Sequence, residues 1–471
     1  MQEVPIPPAS FARFLATATA ARRRHLHSAL REARRLLQDR RVWHINSTRT
    51  GGGVAEMLQT LLGYERDAGL DARWLVIEGE PEFFALTKRL HHLLHGRNGP
   101  RHQLPPEAGD VYGAVTQGNL DRIRALVRPG DVVMLHDPQT AGLAPALRAH
   151  GARVVWRCHI GCDGANGATR QGWSFLQPYL AHAHAYVFSR RAYVPAWIPA
   201  DRAFIIPPAI DPLSLKNAPV GRAAVRAILR HIGLLGDRSP NGGVPFTRLD
   251  GSPALVRRRA TIVQTDPLPA ADVPTVVQVS RWDPLKDMAG VMRGFAERAE
   301  RLPGVHLVLV GPDVSGVTDD PEGAEVYADC VERWERLPAA VRRRVHLVSL
   351  PMADVDENAV MVNAIQRHAT VLVQKSLREG FGLTVTEAMW KGRPVIAGAV
   401  GGIQDQIQDG IHGLLLEDPT DTRAFGLAVE RLFRSPGLVR RLGRNARRRA
   451  RNEFLGHRQL AQFLKLLDVV A

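Results

Sequence analysis

Glu379-Gly-Phe-Gly-Leu-Thr-Val-Thr-Glu387 lies between two runs of different character. The run before it, Thr370-Val-Leu-Val-Gln374, is apolar and β-branched, as in a buried strand. The run after it, 384–391, reads as a helix. The stretch is therefore a strand, a glycine loop and a helix start. Gly380 and Gly382 permit a tight turn and a close approach of backbone to ligand. The N–H groups of residues 382–385 then point outward at the positive end of the helix dipole, a ready site for a phosphate. Glu379 before the loop and Glu387 in the first helical turns can face one site, and a carboxylate accepts two hydroxyl hydrogen bonds, which suits the diol of a ribose or a hexose. Two glutamates at this spacing also arise by chance, one of them simply favourable near a helix N-terminus.

The same alternation extends around this stretch. Thr275-Val-Val-Gln-Val279 reads as a strand, followed by Ser280-Arg-Trp-Asp-Pro-Leu-Lys286 and a helix over 288–301. Val305-His-Leu-Val-Leu-Val310 ends at Gly311, and Val345-His-Leu-Val-Ser349 is a further strand. Pro394-Val-Ile-Ala397, the turn Gly398-Ala-Val-Gly-Gly402 and the 410–416 stretch with Gly413 come after the central loop, and 422–467 reads as an arginine-rich helical tail. Strands alternating with helices at this spacing predict a parallel, doubly wound α/β sheet.

A similar series precedes it. Val42-Trp-His-Ile-Asn46 is a strand, then Ser47-Thr-Arg-Thr-Gly-Gly-Gly53, then a helix over 54–68. Gly51, Gly52 and Gly53 between a first strand and a first helix mark a close approach to a ligand, although the spacing is neither Gly-x-Gly-x-x-Gly nor a P-loop. A purely structural glycine turn is the alternative. Further strands are Asp71-Ala-Arg-Trp-Leu-Val-Ile77, Asp131-Val-Val-Met-Leu135, Ala152-Arg-Val-Val-Trp-Arg157, Tyr186-Val-Phe-Ser189 and Ala203-Phe-Ile-Ile206, with a helix over 83–94. His136, in His136-Asp-Pro-Gln139, and His159, in Cys158-His159-Ile160, fall just past the ends of two strands, where α/β sheets place ligands. Two such series predict two similar domains facing a central cleft.

The chain has 471 residues and a formal net charge of +15. Only six of its 62 basic side chains are lysine, so 56 are arginine, a skew expected from genome composition more than from one ligand. The charge is compatible with nucleic acid or an anionic membrane, but no basic–aromatic module accompanies it, so no nucleic-acid partner is expected. Three cysteines, Cys158, Cys162 and Cys330, suit a reducing compartment. Cys158, His159 and Cys162 lack the second pair that a metal cluster needs, so buried thiols are the expected reading. No apolar run reaches 18 residues and no signal peptide is read, so the expected location is cytoplasmic, without a transmembrane segment. The 10–38 stretch predicts a basic helix packed on the main body, with a membrane-surface helix as the alternative. Residues 213–272 are poor in pattern and read as a connection with an insertion.

These motifs coincide in one known family. The chain resembles the retaining family 4 glycosyltransferases of the two-domain GT-B fold. The residues that carry the likeness are Gly51–Gly53, Arg281 with Lys286, Glu379 with Glu387, and Gly401-Gly402 leading to Gly410 and Gly413. Within that family it is most similar to trehalose glycosyltransferring synthases and retaining trehalose phosphorylases. That likeness rests on Trp43-His-Ile-Asn46, His136-Asp-Pro-Gln139, Trp156-Arg-Cys-His159, Pro207-Pro-Ala-Ile-Asp211-Pro-Leu-Ser214 and Val279-Ser-Arg-Trp-Asp-Pro-Leu-Lys286, although 221–271 is longer than in typical synthases.

The resemblance implies a division into five segments. They are a basic helical extension (1–41), a Rossmann-like acceptor domain (42–215), a connection with insertion (216–272), a Rossmann-like nucleotide-sugar domain (273–452) and a C-terminal helix (453–471). It implies that Arg281 and Lys286 hold a donor diphosphate, that Glu387 binds ribose and Glu379 the hexose, and that Phe381, Gly382, Leu383 and Thr384 add backbone or loop contacts. Gly51, Gly52 and Gly53 would reach the phosphates. His159 would lie near the reacting carbon, and Asn46, His136, Asp137, Gln139, Trp156 and Arg157 would meet the acceptor sugar.

The implied reaction is retaining transfer of glucose from a nucleoside diphosphate glucose to a sugar, with free glucose as acceptor and trehalose as product. No side chain is assigned as nucleophile, and neither a cofactor nor a metal is required. Asp354-Val-Asp356 has the form of a metal motif but reads as a solvated loop after Pro351. The partners are a nucleotide sugar and a small sugar acceptor, with a homodimer as the candidate assembly. A phosphorylase working through glucose 1-phosphate, a nucleotide-sugar epimerase, another acceptor, and a non-catalytic sugar-binding protein are the rivals.

Overall fold

The structure, a computed structural model, describes residues 2–49, 53–97, 99, 103–236, 242–268, 270–314 and 321–470. Two compact units divide it. The first contains residues 1–211 and 454–471, and the second contains 212–453.

The first unit is built on seven strands: β1 (Gln2–Glu3), β2 (Val42–Asn46), β3 (Ala72–Val76), β4 (Val132–His136), β5 (Arg153–Cys158), β6 (Ala185–Phe188) and β7 (Ala203–Ile205). Their order is β1-β3-β2-β4-β5-β6-β7, parallel except for β1, which pairs antiparallel with β3. The chain moves outward one way from β2 to β3 and the other way from β4 onward. The junction of β2 and β4 is thus the switch point of a doubly wound sheet, where the ends of neighbouring strands splay and a ligand can enter.

Strand alternation sorts the side chains by face. Trp43, Ile45, Val133, Leu135, Trp156 and Cys158 enter one core, to which helices Pro81–Leu94, Ala108–Leu126 and Gly167–Leu180 also contribute. His44 and Trp74, opposite each other in the β2–β3 register, lie on the other face, where Trp74 packs with Leu58 and Leu62 of helix Gly53–Asp67.

The expected 10–38 helix is two helices, Phe11–Ala16 and Ala20–Leu37. The break follows from local hydrogen bonding: Thr17 Oγ1 donates to the Phe14 carbonyl, and Thr19 Oγ1 accepts from the Arg22 N–H to cap the second helix. Leu26, Leu30, Ala33 and Leu37 are buried, so this helix is part of the first unit. The arginine-rich tail is three helices, Thr422–Phe433, Pro436–Glu453 and Gly456–Val470, and the last belongs to the first unit.

The second unit carries a two-stranded hairpin, β8 (Val244–Thr247) with β9 (Pro253–Val256), and a second seven-stranded sheet. That sheet comprises β10 (Thr261–Val263), β11 (Thr275–Val279), β12 (His306–Pro312), β13 (Val345–Leu350), β14 (Val371–Gln374), β15 (Val395–Gly398) and β16 (Leu414–Leu416), in the order β10-β13-β12-β11-β14-β15-β16. Only β10 is antiparallel, and the switch point falls between β11 and β14.

Residues 216–272 are built into this unit rather than forming a bare connection. Helix Arg222–His231 buries Val225, Ile228 and Leu229 in the core shared with helix Val355–His368. Arg248, after β8, pairs with both Asp354 and Asp356, and Glu357 accepts from the Arg257 and Arg258 N–H groups at 2.5 and 2.6 Å. Asp354 is therefore not in a solvated loop, because its carboxylate also caps Val355–His368 by accepting from the Asp356 and Glu357 N–H groups. The Arg248 hydrogen bond holds its pKa down to about 2.

Candidate functional site

The loop after β11 and the loop after β14 leave the second unit's switch point side by side. Leu377 N–H donates to the Leu285 carbonyl at 2.8 Å, and Gln278, on β11, donates to the Lys286 carbonyl at 2.7 Å. This stitching brings Lys286 to Glu379, with Nζ 2.5 Å from Oε2. Ser376 Oγ donates to the same carboxylate oxygen at 3.1 Å. Asp287, the next residue, is left-handed at φ +49° and caps helix Met288–Ala296 through the Gly290 N–H. Its carboxylate also pairs with Lys375, whose side chain is fully buried at the end of β14. Arg281 is more open and reaches Asp283 at 3.0 Å.

The glycine loop then turns into helix Leu383–Trp390. Gly382 is the N-cap, left-handed at φ +84°, with no side chain to meet the first N–H groups. Those N–H groups, of Leu383 and Thr384 among others, have no intrahelical acceptor by geometry. The loop is held from behind: Gln406 Nε2 donates to the Phe381 carbonyl at 2.5 Å, and Gly402 N–H donates to the Gly380 carbonyl at 3.1 Å. A Cβ on Gly402 would sit 2.8 Å from Phe381 Cα, so glycine is required for the two turns to touch. Glu387 lies one turn into the helix and is buried, with Oε2 accepting from Gln366 Nε2 at 2.8 Å and Oε1 3.8 Å from Lys216 Nζ.

In the first unit, β2, β4 and β5 align three imidazoles at the switch point. His44 Nδ1 is 3.0 Å from His136 Nε2, and His136 Nδ1 is 3.1 Å from His159 Nε2. The rings stack at 5.3 and 5.4 Å between centroids. Burial lowers all three, His44 to about 3, so each is a neutral ring with one N–H. Asp137 is left-handed at φ +62°, a strained backbone for a non-glycine residue. Its Oδ1 accepts the His159 N–H at 2.7 Å and its carbonyl accepts the Trp156 indole N–H at 3.0 Å, contacts that hold it in place. Burial pushes the Asp137 carboxyl up to about 7.

Three residues expected at the acceptor are used within the fold. Trp156 is completely buried in the core. Arg157 points to the other face, as strand alternation requires, and is buried there, reaching the Ile206 carbonyl at 3.4 Å. Asn46 donates to the Thr48 carbonyl at 2.7 Å and accepts the Trp74 indole N–H at 2.8 Å. Gln139 is half-buried in the short helix Asp137–Thr140. Gly53 opens its helix, while Gly51 and Gly52 lie outside the described residues.

Sequence reasoning missed Lys375, Lys216, Gln366 and Glu65. Glu65 left a readable signal, because it continues the apolar stripe of Leu58, Leu61 and Leu62 on helix Gly53–Asp67, where a carboxylate does not belong. Among the described residues, no group of histidine, cysteine and carboxylate side chains is arranged to hold a metal, and no helix is long and apolar enough to cross a membrane.

Residues 44–195 match the family described as "Trehalose synthase, N-terminal domain", and residues 352–449 match "Glycosyl transferases group 1". A trehalose synthase from Pyrococcus horikoshii is 35% identical over 444 residues, spanning 94% of this chain and 92% of its own. The chain belongs to this trehalose-related family of GT-B glycosyltransferases. It is accordingly an enzyme that transfers a hexose. Within the same family, a trehalose phosphorylase from Pleurotus pulmonarius is 28% identical over 88% of this chain, which spans 55% of that relative's length. The fold is shared with an alpha,alpha-trehalose 6-phosphate synthase from Burkholderia multivorans, at a TM-score of 0.66 and 16% identity, over 92% of this chain and 97% of that one.

Proposed function

We propose that the enzyme transfers glucose, with retention, from a nucleoside diphosphate glucose to free glucose and so makes trehalose. The observation that carries this reading is the second unit's switch point, where Lys286, Glu379 and the glycine-capped helix start converge. Lys286, with Arg281, supplies positive charge where a diphosphate leaving group develops negative charge. The first N–H groups of Leu383–Trp390 add the helix dipole to the same task. Glu379, held by Lys286 and Ser376, accepts hexose hydroxyls, and Glu387, held by Gln366, accepts those of the ribose.

In the first unit, His159 and Asp137 present imidazole and carboxyl groups suited to sugar hydroxyls. Arg157, the fixed cation of that strand end, is buried against Ile206, so it does not offer a phosphate-binding fork to the acceptor. This favours a neutral sugar over a sugar phosphate. With lysine, arginine and a helix dipole stabilising the leaving group, the reaction is proposed to need no metal, and the cytoplasm supplies both substrates. Mass spectrometry of products from each nucleoside diphosphate glucose tests the donor. Turnover of trehalose by inorganic phosphate alone would instead make the enzyme a phosphorylase.

A further inference from the structure

The imidazole row of the first unit does not end at His44. His44 Nε2 faces Glu65 Oε2 at 3.9 Å, and both groups are completely shielded from solvent. Neither His44 Nε2 nor either Glu65 oxygen has a hydrogen-bond partner among the described residues. A buried carboxyl without a partner is costly. The 3.9 Å gap is longer than a direct hydrogen bond, and a small side-chain shift or one bridging water closes it. Phe463, its ring 5.6 Å from that of His44, covers the row from helix Gly456–Val470. Among the described residues, the other charged groups acting on the row are Arg157, which interacts electrostatically with all four members, and Asp137, whose Oδ1 accepts the His159 backbone N–H and which interacts electrostatically with Arg157.

We propose that Glu65 is a positioning residue that fixes, through His44 and His136, which nitrogen of His159 carries the proton. A neutral imidazole has one N–H and one bare nitrogen, so a row of them points in one direction or the other. With Glu65 protonated, its O–H donates to His44 Nε2. His44 Nδ1–H then donates to His136 Nε2, and His136 Nδ1–H donates to His159 Nε2. His159 Nδ1, the nitrogen outside the row, is left carrying a proton. With Glu65 ionised, each proton sits one place nearer the carboxylate, and Nδ1 of His159 is bare. The proton lost when Glu65 ionises therefore leaves the protein from His159, three places along the row. Burial pushes the Glu65 carboxyl up to about 8, so at neutral pH the row points outward and His159 is a donor. This deepens the reading of His159 as a sugar-facing group and depends on it for its catalytic meaning.

The test is two-bond 1H–15N correlation on the full chain carrying ring-labelled histidine, with the 18 histidines assigned by substitution. The expected result is an N–H on Nδ1 of His159 at neutral pH. Raising the pH should move the proton from Nδ1 to Nε2 in His44, His136 and His159 together, at one midpoint. Glu65→Gln, which cannot ionise, should abolish the change, and the alkaline limb of kcat should go with it while KM for the sugar donor stays within about two-fold. His44→Phe, which cuts the row but leaves Glu65, should uncouple His136 and His159 in the same way. Three independent midpoints, or a concerted change that persists in Glu65→Gln, would overturn the proposal. A concerted change with His159 signals indifferent to added nucleoside diphosphate glucose would uphold the row and remove His159 from the sugar site.

Discussion

Lys286 and Glu379, 93 residues apart, meet at 2.5 Å between Nζ and Oε2 where two loops leave the same sheet switch point. The contact joins the cation expected at the diphosphate to the carboxylate expected at the hexose. Ser376 and Gln374 approach the same carboxylate oxygen at 3.1 and 3.5 Å. A carboxylate so held keeps one orientation for a sugar, and a lysine so held is poised rather than free to sample solvent.

Lys286→Ala should therefore reduce turnover by about 100-fold or more, the usual cost of removing a donor that stabilises developing charge. Arg281→Ala should fall in the same range. The check is kcat for both variants beside their thermal unfolding, which should remain close to that of the parent. Near-normal turnover in both would remove the donor site from this loop.

Asp287 neutralises Lys375, a fully buried lysine at the end of β14. Asp287→Ala leaves that charge uncompensated and should destabilise the enzyme by ~3–5 kcal/mol. Asp287→Ala with Lys375→Met should recover the part of the loss due to the buried charge, leaving about 1–2 kcal/mol for the lost Gly290 cap and the left-handed backbone. Denaturant unfolding of the single and double variants measures both.

Gly382 adopts φ +84°, and its Cβ would fall 3.1 Å from Ile403 Cγ1. Gly382→Ala should cost ~1–2 kcal/mol from the left-handed backbone alone. It should also raise KM for the nucleotide sugar, since the helix start can no longer hold its turn. A variant of unchanged KM would separate the turn from donor binding.

The two sheets were legible because their central strands are buried on both faces and read as short apolar runs, such as those at 305–310 and 370–374. The loops after β11 and β14 were legible because glycine, arginine and glutamate there serve no packing purpose. Helices Ala108–Leu126 and Gly167–Leu180 were not read from the sequence: Gly109, Gly113 and Gly118 dilute the pattern of the first, and the second contains Pro178. The 216–272 stretch was opaque for another reason: Arg248 and Glu357 anchor it across about a hundred residues, and no local signal announces such pairs. The same holds for the histidine row, whose members sit on different strands. That Arg157 turns away from its neighbours Trp156 and Cys158 was legible from strand alternation, and those neighbours are core residues.

Activity should survive chelation. Arg281, Lys286 and the dipole of helix Leu383–Trp390 are proposed to supply the charge that a divalent ion would otherwise provide. Turnover in excess EDTA should match that in its absence. Complete loss, restored by magnesium or manganese, would contradict the proposal.

The most direct measurement supplies a nucleoside diphosphate glucose with glucose in one reaction and with glucose 6-phosphate in another. A non-reducing disaccharide, cleaved by trehalase, is expected in the first reaction and no glucosylated product in the second. Product formed only from glucose 6-phosphate, or from neither acceptor while the donor demonstrably binds, would contradict the proposed reaction.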